Sequence, residues 1–320
     1  MNSLYPLITE AHMAIRPQVR TTPLDYSPLL SLISGCQIYL KCEHLQHTGS
    51  FKFRGAVNKI RLLNETARQS GVITASTGNH GQALALAARE AGVAVTVYAP
   101  ATAAQVKLDA IRAFGADIEL VEGDALAAEL EASRQAGLQG KPFVSPYNDK
   151  YIIAGQGTSG IEIAEQIDNL DAVFIAVGGG GLISGIGTAL KQLSPKTQII
   201  GCWPANAPSM YASLKAGNII EVEEQETLSD GTAGGVEPGA ITFPVCQQVI
   251  DRYELVSEQE IRDAMRLVAR TDRWMIEGAA GVALATALRL APEFQGKKIA
   301  VVLCGKNIVL EKYINAVGGE

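Results

Sequence analysis

Short apolar runs alternate with amphipathic or alanine-rich stretches along most of this 320-residue chain. Gly71–Ala75, Val93–Tyr98, Asp117–Val121 and Phe143–Ser145 read as strands, with helices predicted at Gln82–Ala91, Gln105–Phe114 and Asp124–Ala136. Gly115 closes the second of these helices, since a glycine can adopt the left-handed turn that ends one. The rhythm then repeats. Ala172–Val177, Gln198–Cys202 and Ile299–Leu303 read as strands; Ile161–Ile167, Ile183–Leu193, Glu258–Arg270 and Ala280–Leu290 read as helices. Strands that are apolar throughout and separated by helices predict parallel sheets covered on both faces. The expected fold class is therefore α/β. The Pro- and Gly-rich stretch from Asn206 to Pro244 is expected to include a flap.

Composition narrows the class. The length exceeds what one small core holds, so one large domain or two lobes are expected. A net charge of −6 argues against nucleic acid or an anionic membrane as partner. Five cysteines, at 36, 42, 202, 246 and 304, form no CxxC and no zinc-like spacing with histidine. Reduced thiols in the cytoplasm are the expected state. The N-terminus has no basic stretch followed by an apolar one, so no secretory signal is expected. Ala172–Leu190 is uncharged and close to membrane-spanning length, yet it holds six glycines, four of them consecutive. A strand, a glycine turn and a helix start account for it better.

Candidate chemistry begins at Lys52, in Gly49-Ser50-Phe51-Lys52-Phe53-Arg54-Gly55-Ala56. Burial among apolar neighbours and a nearby cation would both favour the neutral amine, which can attack a carbonyl. The plainer reading is a helix-start lysine with its head in water. Gly178-Gly179-Gly180-Gly181-Leu182 follows a strand and opens a helix. Its backbone N–H groups can converge on a phosphate, helped by the helix N-terminus. It lacks the Lys and Ser/Thr of a P-loop, so ATP is not favoured. Ser76-Thr77-Gly78-Asn79-His80-Gly81, again between a strand and a helix, offers hydroxyls, an amide and N–H groups to a carboxylate. Gly155-Gln156-Gly157-Thr158-Ser159-Gly160 matches GxGxxG, but no acidic residue ends a following strand at the ribose distance. Close packing at a helix start is its expected role.

Taken together, these motifs resemble those of the pyridoxal-phosphate enzymes of the tryptophan-synthase β-like fold, the serine/threonine dehydratases and serine racemases in particular. The likeness runs through nearly the whole chain. Arg20-Thr21-Thr22-Pro23-Leu24 is similar to the family's start, Gly49–Ala56 to its lysine segment, Ser76–His80 to its SxGNH loop and Ala154–Thr158 to its AGQGT run. Gly178–Leu182 resembles its tetraglycine loop, and Asp230, Gly231 and Glu277 have counterparts near the cofactor.

The resemblance implies two lobes, each a mostly parallel twisted sheet with helices on both faces. Residues 1–68 and 149–320 would form a large cofactor-binding domain and 69–148 a small mobile one. It implies pyridoxal 5'-phosphate held as an imine on Lys52, with Phe51 beside it. The freed amine of Lys52 would remove the substrate's α-proton. Asn79 would bind the cofactor's 3-oxygen, and Gly178, Gly179, Gly180, Gly181 and Leu182 its phosphate. Gly231 and Glu277 would line the ring, and Cys304 would face the pyridine nitrogen. Ser76, Thr77, Gly78, His80 and Tyr147 would meet the amino-acid substrate, Thr77 with its hydroxyl on the second face of the cofactor. A homodimer is implied.

Cys304 bears on the chemistry. A carboxylate at that position would keep the ring nitrogen protonated; a thiol, with a reference pKa of about 8.5, would not. The weaker electron sink favours prompt loss of a β-substituent. The implied reaction is β-elimination from L-threonine or L-serine to a 2-oxo acid and ammonia. Alternatives are a serine racemase, or a dehydratase of 3-hydroxyaspartate, a phenylserine or a hydroxyectoine-pathway intermediate. Two further classes are a nicotinamide oxidoreductase using Gly155–Gly160 and a non-catalytic anion-binding protein. Cys202–Ser209 lacks the carboxylates that metal-binding members carry, so no metal site of that type is expected. Tyr147 and Lys306 depart from the family pattern, and the resemblance implies that both would face the substrate's β-substituent. No regulatory domain is expected after Cys304.

Overall fold

The computed structural model describes residues 4–123 and 125–318. Its nine strands are β1 (Leu24–Tyr26), β2 (Gln37–Lys41), β3 (Val72–Ala75), β4 (Val95–Pro100), β5 (Asp117–Val121), β6 (Ala172–Ala176), β7 (Gln198–Pro204), β8 (Arg252–Val256) and β9 (Lys298–Val302). They form two sheets among the described residues. One has six strands in the order β1-β2-β9-β6-β7-β8; the other has three in the order β3-β4-β5. Only the β1–β2 pair is antiparallel. Every residue of β6 is buried, as a central parallel strand with helices over both faces requires.

Asp149 starts the longest helix, Lys150–Gln166, by accepting from the N–H groups of Tyr151 and Ile152. The GxGxxG run lies in the middle of this helix, not at its start. Its packing role holds. A Cβ on Gly155 would come within 2.5 Å of Arg54 O, one on Gly157 within 2.7 Å of Ile8, and one on Gly160 within 2.9 Å of Ala189. The bare helix face thus lets three neighbouring helices approach, namely Leu4–Ile15, Lys52–Arg61 and Gly181–Leu193.

Phe143–Ser145 is not a strand; it makes one bridge, Ile73 to Phe143. The Thr74 hydroxyl and the His80 ring both meet the Val144 carbonyl, and Pro146 has no N–H to continue a ladder. The helix expected from Asp124 is observed over Ala125–Gln139, with Asp124 itself outside the described residues. Strands β1, β2 and β8 are additions to the sequence-based pattern. No helix among the described residues is long and apolar enough to cross a membrane.

Candidate active site

Lys52 is the first residue of the helix Lys52–Arg61. The segment before it is fastened to the chain that leaves β9: Phe51 N–H donates to Cys304 O at 3.0 Å, Ser50 bridges Gly305, and Lys306 N–H donates to Gly49 O. Lys52 and Cys304 are thereby set side by side. The Lys52 ammonium donates to Pro146 O at 2.7 Å. Burial lowers its pKa to about 8, although the nearby Cys304 and Glu277 pull it back up.

The expected contribution of a neighbouring cation does not materialise. Arg54 turns away from Lys52 into a fully buried cluster, bonding Glu43 through Nε and Nη2 and Glu162 through Nη1 and Nη2. Lys41 donates to the same Glu162 at 2.7 Å. Thr22, from the Arg20–Leu24 motif, donates to Glu43, and Ser159 does likewise from the long helix. Burial alone would push the Glu43 carboxyl up; the Arg54 guanidinium overrides it and holds the carboxyl down at about 2. Two cations and two carboxylates compensate one another beneath the lysine helix.

The tetraglycine loop lies between β6 and the helix Gly181–Leu193. Gly180 has φ +86°, and a Cβ there would meet Cys246 Sγ at 2.8 Å. A Cβ on Gly178 would meet Thr232 backbone at 2.9 Å, and one on Gly179 the Tyr147 ring at 2.5 Å. Thr242 Oγ1 donates to Gly179 O at 2.7 Å and holds the loop from below. Among the described residues, no hydrogen bond outside regular secondary structure uses the N–H groups from Gly178 to Leu182. Leu182 buries its side chain in the core, so only its N–H faces this task.

Tyr147 covers the glycine loop. Its hydroxyl accepts from Glu237 N–H at 3.0 Å, and burial keeps it protonated well above the usual range. The hydroxyl is thus engaged with the chain near Glu237, while the ring lies against Gly179 and the Tyr147 Cβ and backbone lie against Gly181.

Ser76–Gly78 leads into the helix Asn79–Glu90. Gly78 N–H donates to Ser76 Oγ, and a Cβ on Gly78 would meet nothing within 4 Å, so the loop fronts open space. The Thr77 hydroxyl has no hydrogen bond among the described residues. His80 is buried, its Nε2 on Val144 O; burial and the Lys52 charge lower it to about 3, so its ring is neutral.

Glu277 joins these parts. It is 4% exposed, and its oxygens accept from Asn79 Nδ2 at 2.9 and 3.0 Å and from Asn307 N–H at 3.1 Å. Burial lifts its carboxyl to about 7, against the Asn79 hydrogen bond. Cys304 Sγ lies 3.8 Å from Glu277 Oε1, and burial followed by the Glu277 charge raises the thiol well above its ordinary value. A Cβ built on Gly231 would point at Glu277 Oε1 from the other side, 3.5 Å away. Lys107 reaches Asp230 at 3.1 Å, tying the helix Gln105–Ala113 to this loop.

Asn307 and Thr242 were not singled out as site residues in the sequence. Asn307 follows the carboxyl end of a parallel strand, which is where ligand contacts gather, and that position is the signal it carried. Thr242 carried none, because its contact with Gly179 is purely tertiary.

The chain matches the family of pyridoxal-phosphate dependent enzymes over residues 15–305. It is 42% identical to an L-threonine ammonia-lyase of Thermotoga maritima, over 96% of this chain and 77% of that one. It is 37% identical to a beta-hydroxyaspartate dehydratase of Paracoccus denitrificans, over 96% of this chain and 97% of that one. Its structure superposes on the processed form of threonine deaminase isoform 2 from Solanum lycopersicum with a TM-score of 0.94 and 34% identity, covering 99% of this chain and 93% of that one. The chain therefore belongs to the pyridoxal-phosphate dependent enzymes. The site fits that cofactor: a glycine cradle closed to any Cβ and with free N–H groups suits a phosphate, and a lysine of lowered pKa suits an aldehyde.

Proposed function

We propose that this chain eliminates water from a β-hydroxy-L-amino acid, L-threonine or L-serine, and releases a 2-oxo acid and ammonia. Support comes from the threonine ammonia-lyase and threonine deaminase named above and from the site itself. The observation that carries the reading is Lys52, with its pKa lowered to about 8 and its ammonium anchored on Pro146 O beside the glycine loop and its Tyr147 cover.

Lys52 would hold pyridoxal phosphate covalently, the N–H groups of Gly178–Leu182 its phosphate, and Asn79 its 3-oxygen. Phe51, Gly231 and Glu277 would border the ring, with the neutral Cys304 thiol at its nitrogen. When bound, the cofactor supplies an electron sink for the charge left at the substrate's α-carbon. The free N–H groups at the start of the Asn79 helix, with Ser76 and Thr77, hold the substrate carboxylate. His80, neutral and fixed on Val144 O, completes the wall of that pocket. Once the incoming substrate amine takes its place on the cofactor, the freed Lys52 amine would accept the α-proton. Its lowered pKa lets it both take and return a proton near neutral pH.

The beta-hydroxyaspartate dehydratase likeness supports a second substrate, 3-hydroxyaspartate. Racemisation is the lesser course on this reading, because a neutral thiol does little to prolong the charge at the α-carbon. We further propose that residues 69–148, which carry the three-stranded sheet and the Ser76–His80 loop, move as the small lobe. The five free cysteines favour the cytoplasm, and the exposed Leu29, Leu32 and Ile33 favour a homodimer.

A keto-acid release screen over L-threonine, L-serine and the stereoisomers of 3-hydroxyaspartate tests the proposal. Release from at least one, abolished by Lys52→Ala, is expected. No release from any of them contradicts it.

A further inference from the structure

We infer that Asn307 is a positioning residue, which decides that Asn79 meets the ligand with an amide N–H and not with its oxygen. The inference rests on the proposed role of Asn79 and adds a residue to it. Asn307 Nδ2 donates to Thr48 O at 2.8 Å and to Asn79 Oδ1 at 2.6 Å. The backbone oxygen of Thr48 only accepts, so it fixes which end of the Asn307 amide is which. With one N–H on Thr48, the other must go to an acceptor, and Asn79 offers its oxygen. That oxygen assignment leaves Nδ2 of Asn79 to face Glu277, whose ionised form again only accepts. A chain of obligatory roles therefore runs from Thr48 O through Asn307 to Asn79 and Glu277.

The same geometry leaves one donor over. Both oxygens of the Glu277 carboxylate lie near Asn79 Nδ2, but they subtend a much smaller angle there than the two N–H bonds make with each other. One N–H serves Glu277. The other has no acceptor among the described residues and is the group left for the cofactor's 3-oxygen.

Asn307 is also where three segments meet. Thr48 belongs to the run that ends in Lys52, Asn79 starts the helix beside the substrate loop, and Glu277 accepts from Asn307 N–H. Losing the side chain leaves the Glu277 contact alone to hold the orientation of the Asn79 amide. Asn307→Asp keeps the shape but places an acceptor against two acceptors, Thr48 O and Asn79 Oδ1.

The test uses the full-length protein. Equilibrium binding of pyridoxal phosphate and the visible spectrum of the loaded protein are measured for Asn307→Ala, Asn307→Asp, Asn79→Ala and the Asn79→Ala/Asn307→Ala pair. Binding weakened by about tenfold in each single variant is expected, the scale of one lost hydrogen bond. The same displacement of the visible band is expected in all three, with no further loss in the double variant. Altered Asn79→Ala with unaltered Asn307→Ala and Asn307→Asp, or losses that add in the double variant, overturns the inference alone. An unaltered Asn79→Ala overturns the underlying role of Asn79 as well.

Discussion

The ammonium of Lys52 donates to the carbonyl oxygen of Pro146 at 2.7 Å, across 94 residues of chain. The bond steers the lysine head toward the residue that precedes Tyr147, and Tyr147 roofs the glycine loop. Nucleophile and phosphate cradle are thus coupled through two consecutive residues.

The pH dependence of cofactor capture follows from the lysine. Only the neutral amine attacks an aldehyde, so capture speeds up as pH rises through the lysine's pKa. That pKa is about 8, lowered from 10.5 by burial. The rate at which cofactor-free protein takes up pyridoxal phosphate should rise and then level off with a midpoint near 8. A midpoint near that of an ordinary lysine would contradict the assignment.

Arg54 is predicted to govern stability. Arg54→Met leaves Glu43 and Glu162 buried with Lys41 as the remaining cation, and a broken buried pair costs about 3–5 kcal/mol. Urea unfolding should show the loss. The Glu43 carboxyl is held at about 2, below its ordinary 4.5. Its contribution is therefore fully present above pH 4.5 and lost as pH falls toward 2. Arg54→Met should flatten that acid limb.

Gly179 is predicted to accept no side chain without cost to the cradle. A methyl group there would enter the Tyr147 ring, and overpacking of this kind costs about 1–3 kcal/mol. Gly179→Ala should weaken pyridoxal phosphate binding by on the order of tenfold or more, since 1.4 kcal/mol is a factor of ten. Tyr147→Ala in the same chain should recover part of the loss, because it removes the colliding ring. Titrations of the parent chain and the two variants decide it.

Product balance and metal response test the chemistry. With L-serine, pyruvate should exceed D-serine; the reverse would favour the racemase reading. EDTA should leave the rate unchanged. Trp203 is buried against Tyr211 and Tyr253, and Ser209 is bonded to Glu224, so this region is filled by protein groups. A large rise on adding magnesium would contradict that account.

The sequence made the sheets legible where strands are buried on both faces. Val173, Phe174 and Ile175 form an unbroken apolar run, as do Ile299–Val302, and hydrophobicity alone marks them. It failed at β2, where Gln37 and Lys41 at the two ends leave only three apolar residues between them; only the fold supplies Glu162, which makes a buried lysine tolerable. The same reason hid the role of Arg54. Local pattern placed it beside Lys52, but its partners come from positions 43 and 162. Gly155–Gly160 misled on position because its spacing suits both a turn and a bare helix face. Asn79 was singled out from its loop, whereas Asn307, which donates to its Oδ1, lies 228 residues away.

The account stands on the covalent attachment at Lys52. Reducing the pyridoxal-phosphate-loaded protein with borohydride, digesting it and mapping the label by mass spectrometry tests this most directly. The prediction is one pyridoxyl-modified peptide, with the mass addition on Lys52. A label on another lysine, or none, would contradict the mechanism.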